Sequence, residues 1–233
     1  MALRPLLRKY LRSYPEWGFH PPHVQVTRRL TRVGSDYGGY FLDTAIFPHD
    51  PVIYSAGIGF DISFDLALIQ QFGCIVHAFD PTPKVQAWID GQSLSPQFRF
   101  HAVGIADFDG DADFFLPPRP DFISHSIVRA PQFSDQSIKV PVIRLITAMS
   151  RFGHTHIDVL KMDIEGGEYS VLADLFREQI PVQQMCVEFH HRSSSHGVEK
   201  TRSTLSLLRT QGFEVVHICP RFEVFSLIRV AMV

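Results

Sequence analysis

The sequence predicts an α/β fold with a mostly parallel sheet, one antiparallel strand and helices on both faces. Short apolar runs that end in polar residues alternate along the chain with helical patterns, which is the order typical of repeated βα units. The last two apolar runs, at 213–218 and 222–230, follow one another without a helix, so they predict an antiparallel pair. The 233 residues, 45% of them hydrophobic, are enough to bury one sizeable core.

The apolar patterns place the elements in order along the chain. Strands are predicted at 24–33, 40–42, from 52 onward, 75–79, 98–103, 112–116, 137–142, 157–162, 182–189, 213–218 and 222–230. Helices are predicted at 1–14, 64–72, 84–90, 143–152, 168–177 and 201–210, with Asp61 or Ser63 near the N-cap of the second. A long loop at 117–136 is a candidate lid. We assign residues 1–50 to a helix and β extension packed on the core, and residues 51–233 to the main domain.

Composition and charge narrow the class of protein. A formal net charge of −2 argues against a broad nucleic-acid-binding face, and no apolar run approaches 18 residues, so no membrane span is predicted. Residues 1–14 are basic and leucine-rich without the apolar core of a signal peptide. This favours an amphipathic helix packed on the domain, and contact with a membrane surface or a partner is the alternative. Cys74, Cys186 and Cys219 share no metal-ligand spacing, so we expect buried free thiols in a reducing, cytoplasmic compartment.

The most informative stretch is an apolar run at 52–56 that ends in a turn formed by Gly57 and Gly59. In an open α/β fold a nucleotide-like cofactor lies at this junction, because glycines let a ligand approach the main chain. A dinucleotide fingerprint needs a third glycine where this chain has Ile62, and Asp61 would repel a pyrophosphate. S-adenosylmethionine has no phosphate and carries an ammonium and a sulfonium, so it fits this turn better than NAD. A purely structural turn is the alternative.

An acidic residue follows the second apolar run of the predicted sheet. Asp80 ends the run at 75–79 and lies roughly 20 residues beyond the glycines, the spacing at which a carboxylate binds both ribose hydroxyls. Pro81 and Thr82 then turn the chain into the next helix. The sequence therefore predicts that Asp80 holds a ribose, and a helix-capping Asp is the alternative.

Two further strand ends carry polar residues that the topology would bring to the same edge. Asp163 and Glu165 follow a buried strand, and acids at the mouth of a central strand need a ligand or a partner. Glu188 and His190 end the next strand and face one way, because strand side chains alternate. These four residues could bind a divalent cation, or hold His190 as a general base beside a substrate hydroxyl. A neutral His190 hydrogen-bonded to Glu188 is the alternative, and Glu168 is expected to complement a helix dipole.

These stretches together resemble class I S-adenosylmethionine-dependent methyltransferases of the FkbM type. The resemblance spans roughly residues 52–230 in order, and the Asp-x-Glu-Gly-x-Glu segment after a strand is its most family-specific part. It rests on Ser55-Ala56-Gly57-Ile58-Gly59, Asp61-Ile62-Ser63-Phe64-Asp65, His77-Ala78-Phe79-Asp80-Pro81-Thr82-Pro83, Leu160 to Tyr169, Val187-Glu188-Phe189-His190 and Phe222-Glu223-Val224-Phe225-Ser226.

The resemblance implies a seven-stranded Rossmann-like sheet and methyl transfer, usually to an oxygen of a small molecule or sugar. By motif, Asp80 would bind the ribose hydroxyls, and Asp163 would lie near the methionine end and the acceptor. Many relatives of this fold carry an acid at the position of Ser55, so Asp61 is a candidate to contact the cofactor's ammonium instead. The full implied cofactor set, in which Gly104, Ile105 and Asp107 flank adenine, is Ser55, Gly57, Gly59, Asp61, Ser63, Asp80, Pro81, Thr82, Gly104, Ile105, Asp107 and Asp163.

The sequence therefore predicts an S-adenosylmethionine-dependent methyltransferase that acts on a small-molecule or glycan hydroxyl. His190 is the expected base, and Asp163 and Glu188 are expected to orient it or a metal ion. The candidate ligands of a divalent cation are Asp163, Glu165, Glu188 and His190. Two alternatives remain: a non-catalytic S-adenosylmethionine-binding protein, because a fold does not fix a function, and a nicotinamide-dependent oxidoreductase, which Ile62 and Asp61 disfavour.

Overall fold

The computed structural model describes residues 23–117, 125–129, 133–192 and 197–230. The predicted helix at 1–14 and residues 118–124 and 130–132 of the predicted loop lie outside them. The described strands are β1 (Thr31–Val33), β2 (Tyr40–Leu42), β3 (Ile53–Ala56), β4 (Val76–Phe79), β5 (Phe98–His101), β6 (Gly104–Ile105), β7 (Gly110–Phe115), β8 (Ser137–Ile143), β9 (Ile157–Met162), β10 (Val182–Glu188), β11 (Phe213–Ile218) and β12 (Val224–Arg229). The described α-helices are α1 (Ser63–Phe72), α2 (Pro83–Asp90), α3 (Leu145–Phe152), α4 (Glu168–Arg177) and α5 (Gly197–Thr210).

Seven strands form the main sheet, in the order β11-β12-β10-β9-β3-β4-β5. Strands β3, β4, β5, β9 and β10 pair in parallel, while β12 pairs antiparallel with both β10 and β11. The predicted Rossmann-like α/β fold, with seven mostly parallel strands and one antiparallel strand, is confirmed. The strand order reverses beside β3, since β4 lies on one side and β9 on the other. Ligand-binding clefts of open α/β sheets open at such a switch point.

Helices cover both faces of the main sheet, as predicted. Alternate residues of β3 serve two separate cores, because strand side chains point to opposite faces. Ile53 belongs to the core that contains Leu68 of α1, and Tyr54 belongs to the core that contains Leu172 of α4 and Leu208 of α5. Within the described ranges, no helix has the length and apolar character needed to cross a membrane.

The predicted N-terminal hairpin is confirmed, but its first strand is shorter than expected. Strands β1 and β2 pair antiparallel with Val33 opposite Tyr40, whereas residues 24–30 form no strand. Among the described residues, no strand forms a continuous ladder with the alternating pattern at 24–30. Its Gln25 N–H instead makes one main-chain hydrogen bond, of 2.8 Å, to the Val215 carbonyl of β11.

The β1–β2 hairpin is docked on both α1 and β10. Tyr40 is buried and meets Phe64 of α1 edge to face, with ring centroids 5.3 Å apart. Asp43 and Gln184 exchange two hydrogen bonds: the Asp43 N–H donates to Gln184 Oε1 at 3.0 Å, and Gln184 Nε2 donates to the Asp43 carbonyl at 3.1 Å. These contacts make the hairpin part of the packed core.

The start of α1 is fastened to the hairpin. Asp61 and Ser63 flank the N-cap, as predicted, but the N-cap residue itself is Ile62, which has no side-chain acceptor. Asp61 Oδ1 accepts a hydrogen bond from the Ser63 N–H at 2.8 Å, and Ser63 Oγ accepts one from the Ser35 N–H at 2.8 Å. Elsewhere α5 begins at Gly197 rather than at 201, and β5 ends at 101 rather than at 103.

A second sheet of three strands has the order β6-β8-β7. Strand β8 pairs in parallel with β6 and antiparallel with β7. Strand β6 consists of two residues, Gly104 and Ile105, which pair with Val142 and Ile143 of β8. This pairing fixes the position of the chain directly after β5. This is the strand end at which the sequence places an adenine-flanking segment.

Candidate active site

The carboxyl ends of β3, β4, β9 and β10 open onto one pocket of about 1100 Å³. The β1–β2 hairpin, β6 and the described part of the 117–136 loop supply further walls. Sites for one small molecule commonly occupy about 300–1,000 Å³, so this pocket has room for a cofactor and a second ligand together.

The predicted glycine turn forms one wall of the pocket. Gly57 has a φ of +73° and Gly59 a φ of +53°, both in the left-handed region that favours glycine. A Cβ atom on Gly57 would lie 1.7 Å from the carbonyl oxygen of Asp163, so a side chain here would separate the ends of β3 and β9. The Gly59 N–H donates to Asp80 Oδ2 at 3.0 Å and joins the turn to the next strand end.

Asp80 is buried at the end of β4 and faces the pocket. Its Oδ2 accepts from the Gly59 N–H, and its Oδ1 accepts from the Thr82 N–H at 2.9 Å. Each carboxylate oxygen can accept more than one hydrogen bond, so both oxygens keep capacity for a ligand hydroxyl. Pro81 and Thr82 line the pocket beside Asp80. This arrangement suits the two neighbouring hydroxyls of a ribose.

The β5 side of the pocket is lined largely by apolar and aromatic side chains. Gly104 and Ile105 lie there, as predicted, together with Val142 of β8. Phe114 and His125 complete this wall, with their rings stacked and the ring centroids 5.1 Å apart. Such a wall suits a planar base.

Three residues of the predicted cofactor set lie outside the pocket lining: Ser55, Ser63 and Asp107. Ser55 is fully buried in β3, on the side of the strand where the Asp65 carboxyl lies. Ser63 Oγ accepts a hydrogen bond from the Ser35 N–H next to the hairpin. The other nine residues of the set line the pocket, and so do Glu165, Glu188 and His190.

The chain between β9 and α4 makes a strained turn at the pocket edge. Glu165 has a φ of +54°, which is uncommon for a residue with a side chain and is typical of functional sites. Glu168, fully buried, holds this turn because its carboxylate accepts hydrogen bonds from the Ile164 N–H at 2.9 Å and the Gly166 N–H at 3.1 Å. Ser126 Oγ donates to the Glu165 carbonyl at 2.6 Å from the described part of the 117–136 loop.

His190 lies among three carboxylates. Its Nδ1 is 2.9 Å from Glu168 Oε1, and its Nε2 is 3.3 Å from Glu165 Oε2 and 3.6 Å from Asp163 Oδ1. Burial alone would lower the pKa of His190, but Glu168, Glu165 and Asp163 together raise it to about 10. The hydrogen-bond partner is therefore Glu168 rather than Glu188, and the sequence pointed only to a helix-dipole role for Glu168.

Two of the acids near His190, Glu188 and Asp163, have raised pKa values. Burial raises the pKa of Glu188, and the neighbouring Asp163 raises it further. Burial also raises the pKa of Asp163, against the opposing effect of Lys161 and His190. A positively charged ligand at this edge would stabilise the charged form of these two carboxylates.

Lys161 is a site residue that the sequence reasoning missed. Its side chain is buried in β9, and its Nζ donates to the main-chain carbonyls of Ala56, at 3.3 Å, and Gly57. The same Nζ lies 5.6 Å from the centroid of the Tyr40 ring. Lys161 therefore stabilises the start of the glycine turn through these two hydrogen bonds. The available signal was a lysine that follows the apolar pair Val159 and Leu160 within a predicted buried strand.

Asp163, Glu165 and His190 can also offer one ligand atom each within 4.8 Å of one another. Carboxylate oxygens and an imidazole nitrogen suit several divalent metal ions. Glu168 fixes the other ring nitrogen of His190, as acids commonly do for a metal-binding histidine. Glu188 belongs to the predicted cation set but does not join this group.

The sheet, the glycine turn, the Asp80 carboxylate and the acidic strand ends together define an α/β protein with a cofactor-type cleft at the carboxyl edge of its sheet. Residues 53–215 match the Methyltransferase FkbM domain family, and the chain belongs to this family. The resemblance predicted from the sequence is therefore confirmed.

Two curated relatives carry a methyltransferase name. Probable methyltransferase-like protein 24 from Homo sapiens is 31% identical over 140 residues, which are 59% of this chain and 32% of the human protein. The protein of the same name from Rattus norvegicus is 30% identical over 140 residues, with the same two shares. The chain thus matches about a third of the length of these relatives. No solved structure matches the chain.

Proposed function

We propose that this chain is an S-adenosylmethionine-dependent methyltransferase that methylates a hydroxyl oxygen of a small molecule or glycan. One observation carries the proposal: the Gly57–Gly59 turn is joined to the Asp80 carboxylate through the Gly59 N–H, with Asp163 at the other end of the turn. Carboxylates on both sides of the turn suit a cofactor with a positively charged sulfonium and ammonium, and they repel a pyrophosphate. The family membership supports methyl transfer.

The proposal gives each wall of the pocket a part of the cofactor. Asp80 accepts hydrogen bonds from the ribose hydroxyls, and Gly104 and Ile105 flank the adenine. The ends of β3 and β9, at Gly57 and Asp163, face the methionine portion. When bound, S-adenosylmethionine supplies an electrophilic methyl group on its sulfonium. The protein's tasks are to align that group with the acceptor, exclude water and remove the hydroxyl proton.

In this proposal His190 removes the hydroxyl proton of the acceptor. Glu168 holds Nδ1, so Nε2 faces the side of the pocket where Asp163 and Glu165 lie. Nε2 accepts the proton as the acceptor oxygen gains the methyl group. Glu168 holds the imidazole, and Asp163 and Glu188, which line the pocket beside it, orient the acceptor. A positive charge beside Asp163 favours the neutral imidazole that this step needs.

As an alternative to the base role of His190, the same three residues, Asp163, Glu165 and His190, fit a divalent cation. A cation bound there would take Nε2 of His190 and would supply Lewis acidity to the acceptor oxygen. The free thiols Cys74, Cys186 and Cys219 are in keeping with a reducing compartment, and we propose a cytoplasmic enzyme.

The test of this function measures ligand binding by calorimetry and methyl transfer to a panel of hydroxylated small molecules and glycans. The wild type should bind S-adenosylhomocysteine and not NAD. Asp80→Asn should bind it about tenfold or more weakly, because charge-assisted hydrogen bonds to the ribose are lost, whereas Asp90→Asn, at the exposed end of α2, should bind it as the wild type does.

His190→Gln separates binding from catalysis in the same experiment. It should keep its affinity for S-adenosylhomocysteine and lose about a hundredfold or more of the transfer rate, the usual contribution of a positioned base. Assays after EDTA treatment, with and without added Mg²⁺ or Mn²⁺, test the cation. Binding of NAD instead of S-adenosylhomocysteine would refute the proposal. Binding without transfer to any acceptor would favour a non-catalytic protein.

A further inference from the structure

The β1–β2 hairpin lines the pocket although it lies outside the part of the chain that matches the family. The family match begins at residue 53, whereas Asp36, Tyr37, Gly38, Gly39 and Tyr40 all line the pocket. A glycine can line a pocket only with main-chain atoms, so this wall offers peptide groups to a ligand at Gly38 and Gly39. Tyr37, at the tip of the hairpin, is 94% exposed.

The position of the hairpin along the sheet indicates which part of the cofactor it faces. Tyr40 lies against Lys161 of β9, and Asp43 is bonded to Gln184 of β10. Asp80 ends β4, two strands from β9, and the adenine-type wall at Gly104 and Ile105 follows β5, farther along in the same direction. A cofactor with its ribose at Asp80 and its base beyond β5 therefore directs its amino-acid end toward the hairpin.

Asp61 fastens this hairpin, because each of its carboxylate oxygens accepts a hydrogen bond from the segments that the hairpin and α1 bring together. Oδ2 accepts from Ser35 Oγ at 2.8 Å, and Oδ1 accepts from the Ser63 N–H at 2.8 Å. Ser35 Oγ in turn accepts from the Gly38 N–H at 2.9 Å. A Cβ atom on Gly38 would lie 2.6 Å from Asp61 Oδ2, so the two segments are in close contact.

We propose that residues 35–41 bind the amino-acid end of S-adenosylmethionine, and that Asp61 is a positioning residue that holds this segment through Ser35. The inference rests on the proposed function and differs from direct contact between Asp61 and the cofactor's ammonium. Direct contact requires only Asp61, whereas the proposed arrangement requires Ser35 as well.

The experiment compares two probes by calorimetry: S-adenosylhomocysteine, and 5′-methylthioadenosine, which has the adenosine portion but no amino acid. Ser35→Ala should weaken S-adenosylhomocysteine about fivefold to tenfold, the value of one or two hydrogen bonds, and leave methylthioadenosine within about twofold. The control is Ser137→Ala, which removes an exposed serine–aspartate hydrogen bond to Asp113, and neither of these two residues lines the pocket. It should change neither affinity.

Three outcomes would overturn the proposal: Ser35→Ala weakens neither probe, it weakens both equally, or Asp61→Ala weakens S-adenosylhomocysteine while Ser35→Ala does not. If Ser35→Ala does not fold, hydrogen exchange of the wild type decides the question. S-adenosylhomocysteine should protect amides at 35–41 and methylthioadenosine should not, and equal protection would contradict the inference. Failure of the wild type to bind either probe would instead refute the proposed function.

Discussion

At the residue scale, the pocket depends on one close approach between strand ends. The main chain at Gly57 passes so near the Asp163 carbonyl that a Cβ atom would lie 1.7 Å from it. The same φ of +73° occurs at Gly153, at the end of α3, where a Cβ would meet nothing within 4 Å. The chain therefore contains a matched pair of glycines that differ in surroundings but not in φ.

Comparing alanine substitutions at Gly57 and Gly153 separates two reasons for a glycine at position 57: its positive φ and its close contact with the Asp163 carbonyl. Gly153→Ala should lower the free energy of unfolding by only about 1 kcal/mol, the cost of a left-handed residue with a side chain. Gly57→Ala should lower it by several kcal/mol and abolish S-adenosylhomocysteine binding, because the ends of β3 and β9 must separate. Urea denaturation and calorimetry measure both effects. Similar losses in the two variants would show that the close approach contributes nothing.

The residues of the candidate site were predictable where they end strands. Asp80, Asp163, Glu165 and His190 could be found because a sheet edge collects such residues. Glu168 could not be separated from an ordinary helix start, since the reach of its carboxylate back to Ile164, Gly166 and His190 depends on a turn whose φ values no local pattern reveals.

At the element scale, Arg144 joins the start of α3 to α4 through partly buried ion pairs with Asp174 and with Glu178. Arg144, just before α3, donates from Nε and Nη2 to the two oxygens of Asp174 at 3.1 and 2.7 Å. Asp174 is 1% exposed and also contacts Arg177. The Arg144–Asp174 pair is bidentate and mostly shielded from water. Removing Arg144 therefore leaves the charge of Asp174 buried with fewer partners.

Arg144→Met should therefore lower the free energy of unfolding by about 2–3 kcal/mol, less than for an isolated buried pair because Arg177 remains. The control is Arg129→Met, which removes an exposed pair with Asp135 and should cost less than about 1 kcal/mol. Urea denaturation at low salt compares the two variants. Equal effects would mean that Asp174 is satisfied without Arg144.

The elements of the main sheet followed from apolar periodicity, but the hairpin's docking did not. The pattern at 24–33 overstated the first strand, because alternation cannot say whether a neighbouring strand is present. The contacts of Asp61 and Ser63 with Ser35 join segments far apart in the chain, so no local rule could foresee that these side chains were already occupied.

At the scale of the whole molecule, a buried histidine, His77, and the half-buried His101 and His154 beside it predict that stability depends on pH. His77 Nδ1 lies 3.0 Å from His101 Nε2, and Tyr54 Oη lies 2.9 Å from His154 Nδ1. Burial, together with the neighbouring His101, His154 and Arg99, lowers the pKa of His77 to about 3. Burial also lowers the pKa of His101 and His154.

The sign of the effect follows from proton binding. An unfolded chain has a histidine pKa near 6.5, so it binds more protons than the folded protein below that pH. The stability advantage of wild type over His77→Phe should therefore fall by about 1–2 kcal/mol between pH 7.5 and pH 5. The raised pKa of Asp65, about 6, acts in the opposite direction but is common to both proteins.

Urea denaturation of the two proteins at several pH values measures this difference. His23→Phe, at an exposed position, should change stability little at any of them. A difference between wild type and His77→Phe that stays constant with pH would contradict the prediction.

The hairpin also affects which residues a fragment used in experiments has to include. A fragment that starts at residue 53 would retain the glycine turn, Asp80 and His190, and would still match the family. It would lack the wall at 36–41, and Asp61 would lose the Ser35 hydroxyl. In the proposed arrangement, the ligand-binding unit therefore begins upstream of the part of the chain that matches the family. Chimaeras that exchange only residues 31–42 between relatives would be the natural way to transplant ligand preference without rebuilding the sheet.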